Sequence, residues 1–142
     1  MFFSKFFKKK KPETAPTVVL QNLPALNAWG IFFQGHGITL YSRNAAAVPG
    51  ANDSEFIYLK SYPEIYELER KLFADWFTTT PTAIYLQQQD SKTGLYMLLY
   101  ISYKDVQLTI LKTGITTTGW ASGYEHGKPV IVIKGEANIV LE

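Results

Sequence analysis

After Pro81 this chain takes on the period of a strand, in one short β-rich segment after another. "TAIYLQQQ" (82–89), "LYMLLYISY" (95–103), "VQLTILK" (106–112), "ITTTGWASG" (115–123), "PVIVIKG" (129–135) and "ANIVLE" (137–142) are rich in β-branched and aromatic residues, and turn residues such as "DSKTG" (90–94) separate them. A period of two puts alternate side chains on opposite faces of a strand, and breaks this close leave room only for tight reversals. The second half of the chain is therefore predicted to be an antiparallel, meander-like sheet. Two strand signals precede it. "IFFQGHGITLY" (31–41) reads as a hairpin around Gly35-His36-Gly37, and "FIYLK" (56–60) reads as a strand.

One segment has a different period. In "SYPEIYELERKLFADWF", Ile65, Leu68, Leu72 and Trp76 recur every three or four residues, and Phe73 widens the stripe. Ser61 and Glu64 have capping-box spacing, Pro63 suits a first turn, and Glu67 and Lys71 can pair on the outer face. The pattern predicts one helix over 62–77. The fold class expected is α+β: a mainly antiparallel sheet with one long amphipathic helix packed on it.

With 142 residues and 46% apolar composition, the chain can bury a core of its own. Residues 1–17 read as a basic, aromatic tail and linker, and 18–142 as a single domain. Five of the fourteen Lys/Arg lie in the first eleven residues; from residue 12 onward the other nine face all twelve Asp/Glu, a net charge of −3. The tail has the reverse order of a signal peptide, since its aromatic residues precede its lysine run. If it were helical, Phe2, Phe3, Phe6 and Phe7 would share a face and Lys5, Lys8 and Lys9 would lie off it. Lys10 and Lys11 extend the charge. This is a minimal pattern for contact with an anionic membrane surface; the alternative is a solvated arm. The longest apolar run, "LYMLLYI" (95–101), is far too short to span a bilayer.

The residues assemble no recognisable chemistry. The chain lacks cysteine, which excludes disulfides, thiolate metal sites and cysteine nucleophiles and fits a reducing, cytoplasmic setting. His36 and His126 are the two histidines; the second lies in "YEHGKP" (124–129), which reads as a polar turn. Zinc-protease, nucleophile-elbow, phosphate-loop and calcium-loop spacings are all missing from the sequence. No catalytic residue, metal ligand or cofactor is expected. The lysine run has no nucleic-acid recognition motif beside it, so no nucleic acid is expected either. Between residues 53 and 75 there are six acids and three bases. Asp53, Glu55, Glu64, Glu67 and Asp75 are the candidate surface for a protein partner, because a concentrated charge steers encounter with an opposite one.

The opening "MFFSKFFKKKKPE", followed by a small cysteine-free body, resembles small bacterial cytosolic proteins, among them immunity proteins that neutralise polymorphic or contact-delivered toxins. The resemblance implies a non-catalytic domain that occludes a toxin, and a partner such as a basic toxin domain. It carries over no individual residue. Two alternatives stand beside it: a peripheral domain held at the inner face of the membrane by the Phe/Lys arm, and a small enzyme of unspecified reaction.

Overall fold

The computed structural model describes residues 29–45 and 56–141. The tail residues Phe2, Phe3, Lys5, Phe6, Phe7 and Lys8 to Lys11, and the loop residues Asp53 and Glu55, lie outside that range. The chain divides into two compact units after Trp76.

The first unit is a sheet whose strands neighbour one another in chain order: β1 (Gly30–Gly35), β2 (Ile38–Asn44), β3 (Phe56–Tyr62) and β4 (Leu72–Ala74). Every pairing is antiparallel. His36 and Gly37 join β1 to β2 with φ of 53° and 80°. Positive φ at both positions makes a type I′ turn, whose twist matches that of the strands, and glycine takes the second position without a Cβ penalty. Alternation then sorts the side chains. Ile38 and Leu40 of β2, Ile57 and Leu59 of β3 and Phe73 of β4 are buried. Thr39, Tyr41 and Arg43 of β2 and Tyr58, Lys60 and Tyr62 of β3 occupy the opposite face. Each fully buried aliphatic side chain contributes about 1.5–3 kcal/mol.

The helix expected over 62–77 does not form, and the α+β assignment is corrected to an essentially all-β one. Among the described residues the longest helical element is a three-residue 3-10 turn, Tyr66–Leu68. Ser61 and Tyr62 continue β3, paired with Leu40 and Thr39. The Ser61 hydroxyl donates to the Pro63 carbonyl at 2.8 Å instead of accepting as a helix cap. Arg70 adopts a φ of 59°, which ends any helical path, and β4 then pairs Phe73 with Ile57 and Ala74 with Phe56. The apolar stripe is used, but by a turn and a strand: Ile65, Leu68 and Phe73 are buried, while Leu72 and Trp76 are half-buried. Good local helix propensity is outweighed by pairing with a distant strand.

The second unit holds β5 (Thr78–Thr79), β6 (Ala83–Gln89), β7 (Tyr96–Ser102) and β8 (Gln107–Ile115), with β5–β6, β6–β7 and β7–β8 paired antiparallel. A three-stranded sheet follows, from β9 (Trp120–Glu125), β10 (Lys128–Ile133) and β11 (Ile139–Val140). The β9–β10 turn repeats the His-Gly solution, with φ of 54° at His126 and 78° at Gly127. Residues 83–88 of β6 are all buried, so this strand is covered on both faces. Strand β8 carries two bulges, where three of its residues oppose two of β7 and then two oppose one. Strand β11 and Leu141 are tied down. β11 pairs with β10, the Leu141 amide donates to the Pro129 carbonyl at 2.9 Å, and the Tyr85 hydroxyl donates to the Leu141 carbonyl at 2.7 Å.

Candidate functional site

The β3–β4 connection, residues 62–71, is where candidate acids and exposed aromatics meet. Ile65 and Leu68 are driven into the core, at 5% and 0% exposure. Between and beside them, Tyr62 and Tyr66 remain 73% and 72% exposed, and Glu64 and Glu67 are exposed as well. Successive backbone bonds, Leu68 to the Ile65 carbonyl at 3.2 Å and Glu69 to that of Tyr66 at 3.0 Å, hold the turn. Two buried anchors thus fix a short connection that displays two tyrosines and two carboxylates to solvent. A tyrosine brings large contact area with few rotatable bonds, which makes it an economical interface residue.

The remaining candidate acid, Asp75, is exposed just after β4. Glu64, Glu67 and Asp75 therefore sit on a turn and a strand end, not on one outer helix face. The expected Glu67–Lys71 ion pair is replaced by a bond from the Lys71 ammonium to the Glu67 backbone carbonyl, at 3.3 Å.

A second feature of the first unit lies on the outer face of β2 and β3. The Arg43 guanidinium sits 5.1 Å from the Trp29 ring centroid and 5.4 Å from that of Tyr58. The Lys60 ammonium sits 4.6 Å from the Trp29 centroid. Among the described residues neither cation forms an ion pair.

The second unit contains an open groove of about 490 Å³, within the size range of small-molecule sites. Its lining includes Tyr85, Tyr100, Ser102, Asp105, Gln107 and Thr109. Pairing of Tyr85 with Tyr100 and of Tyr100 with Thr109 lays one row across three strands, and the two rings stand 5.4 Å apart at 40°. At the rim, Val106 adopts a φ of 55° between Asp105 and Gln107. Beside the groove, burial, with a smaller contribution from Tyr85, pushes the Tyr103 phenol up to about 12. Hydroxyls and amides here can orient a ligand. A hydroxyl needs an adjacent base to become a nucleophile, and Asp105 is the carboxylate of this lining.

Among the described residues no group of three or more His, Asp or Glu is placed to hold a metal, and no helix is long and apolar enough to cross a membrane. No family model, curated protein or solved structure matches the chain. Charge density in the sequence pointed to Glu64 and Glu67, but the neighbouring Tyr62 and Tyr66 were absorbed into the helix pattern. Trp29, Arg43 and Lys60 were missed. The signal available was the period-two alternation of "YSR" (41–43) and "YLKSY" (58–62), which puts aromatic and basic residues on one face.

Proposed function

We propose that this chain is a non-catalytic protein-binding domain that neutralises a toxin by occluding it, in the manner of a bacterial immunity protein. The observation that carries the reading is the anchored β3–β4 connection. Buried Ile65 and Leu68 hold exposed Tyr62 and Tyr66 beside Glu64 and Glu67. Rigid aromatic anchors supply most of the energy at many interfaces, and the flanking carboxylates steer a basic partner toward them. Occlusion needs no catalytic group, metal or cofactor in the blocking domain. The proposed setting is the cytoplasm, where a cell must protect its own targets, with the Phe/Lys arm available for the inner membrane surface.

The test is to capture a stoichiometric partner from the native host and assay its activity on nucleic acid and on cell growth. The expected result is loss of that activity at one equivalent of this protein. A partner whose activity is unchanged by saturating protein would overturn the proposal.

A further inference from the structure

We propose that the outer face of β2 and β3 binds single-stranded nucleic acid, with aromatic rings receiving bases and Arg43 and Lys60 receiving phosphates. The proposed face meets the β3–β4 connection at Tyr62, the last residue of β3, but its cations and its other rings lie outside that connection, and it does not depend on the toxin-blocking reading. It replaces the expectation, drawn from motifs alone, that nucleic acid is not a ligand.

The first argument is charge. Within residues 29–45 and 56–63 the full charges are Arg43 and Lys60, with no carboxylate among them. Neither cation has an ion pair among the described residues. Their contacts are with ring faces: Trp29 for both, and Tyr58 for Arg43. A ring face engages the positive charge but leaves the N–H donors unspent, and a guanidinium or ammonium with free donors is the natural partner of a phosphate oxygen.

The second argument is spacing. The register pairs Arg43 with Tyr58, Tyr41 with Lys60 and Thr39 with Tyr62. Successive rows on one face are two residues apart, about 7 Å along the strand. Cation and aromatic therefore exchange strands from the first row to the second, and the third row adds Tyr62, which is 73% exposed. Trp29, preceding β1, closes the other end of this face over Arg43 and Lys60. Interleaved rings and cations along a track are how single strands are held without a base-specific code.

That interleaving also selects the ligand. A duplex keeps its base faces stacked inside, and an acidic polypeptide or a lipid headgroup offers negative charge without a series of flat π-faces. A single strand offers both.

The experiment is fluorescence anisotropy of a labelled short oligothymidylate with the full chain, run across a salt series. A duplex of equal length, a polyglutamate peptide and anionic phosphatidylserine vesicles serve as competitors. Replacing both cations in an R43Q/K60Q variant should flatten the slope of log affinity against log salt by about 1.4, from about 0.7 per lost single-strand phosphate contact. The tail lysines are common to both proteins and drop out of the difference. W29L should weaken binding by about 5- to 140-fold, as loss of one stacked base does, whereas W29F should retain most of it. If W29L lowers the melting temperature, the R43Q/K60Q slope decides, since that change lies on the outer face and leaves the core intact. The proposal is overturned if oligothymidylate does not bind or if the slope is the same in R43Q/K60Q. It is equally overturned if duplex, polyglutamate or vesicles compete as well as the single strand.

Discussion

The Tyr85 hydroxyl donates to the Leu141 carbonyl at 2.7 Å, joining a buried strand to the residue after β11 across 56 residues of sequence. Tyr85→Phe keeps the ring and deletes the donor. The carbonyl of Leu141, itself 8% exposed, would lose its partner in a buried setting. The expected cost is about 1–3 kcal/mol, measured by urea denaturation. Unchanged stability would mean that this bond does not hold the Leu141 segment in solution.

Leucines 68 and 72 separate the strand-and-turn structure from a helical one. A helix over 62–77 buries both, because both belong to its stripe. Here Leu68 is fully buried and Leu72 half-buried on β4. Leu68→Ala should cost about 2–5 kcal/mol, and Leu72→Ala less than about 1.5 kcal/mol. Far-ultraviolet circular dichroism of the wild type should be dominated by strand signal. Equal costs at the two positions, with a strong helical spectrum, would restore the helix.

Val106 is a β-branched residue in the left-handed region, with φ of 55°, directly before β8. That conformation costs an L-residue roughly 1–2 kcal/mol, and asparagine tolerates it better than valine. Val106 is also half-buried, so part of the gain is offset by lost apolar contact. Val106→Asn should therefore raise stability by roughly 0.5–1 kcal/mol in equilibrium unfolding. A loss of stability larger than about 1 kcal/mol would place Val106 in ordinary extended backbone.

Tyr103 gives the fold an alkaline limit. Burial, and then Tyr85, raise its phenol from 10.0 to about 12. Between those values the unfolded chain has released this proton and the folded chain retains it. The unfolded state therefore binds fewer protons, and stability falls as pH rises. This contribution is fully present below about pH 10 and is lost as pH rises through about 12. Tyr103→Phe should show a shallower decline across that window when melting temperatures are compared at matched pH. Parallel declines in the two proteins would assign the alkaline sensitivity to other tyrosines.

Much of the strand structure was legible because period two is a local property. "TAIYLQQQ" and "LYMLLYISY" became β6 and β7 almost to the residue, and the turns read at 35–37 and 124–129 narrow to His36-Gly37 and His126-Gly127. The 61–77 segment misled for a physical reason. Its serine, proline and apolar spacing are the local signals of a helix, whereas what decides it is the pairing of Phe73 with Ile57, sixteen residues earlier. Local signals cannot weigh a partner strand. The candidate sites divide in the same way. Carboxylate density around Glu64 and Glu67 is visible in one window of sequence. The exposure of Tyr62 and Tyr66 depends on Ile65 and Leu68 taking the buried positions between them. The Trp29–Arg43–Lys60 cluster needs the β1–β2–β3 register, which brings together residues from three separate segments.

The most direct test of the protein-binding account is a titration of the captured partner against wild type and a Y62A/Y66A variant, read by isothermal calorimetry. Both tyrosines are more than two-thirds exposed, so the melting temperature of the variant should match that of the wild type. Two interface anchors lost together should cost about 4 kcal/mol or more, close to a thousandfold in affinity. E64K/E67K should mainly slow association, and more so at low salt than at high salt. Wild-type affinity in a fully folded Y62A/Y66A variant would contradict the claim that the β3–β4 connection is the binding site.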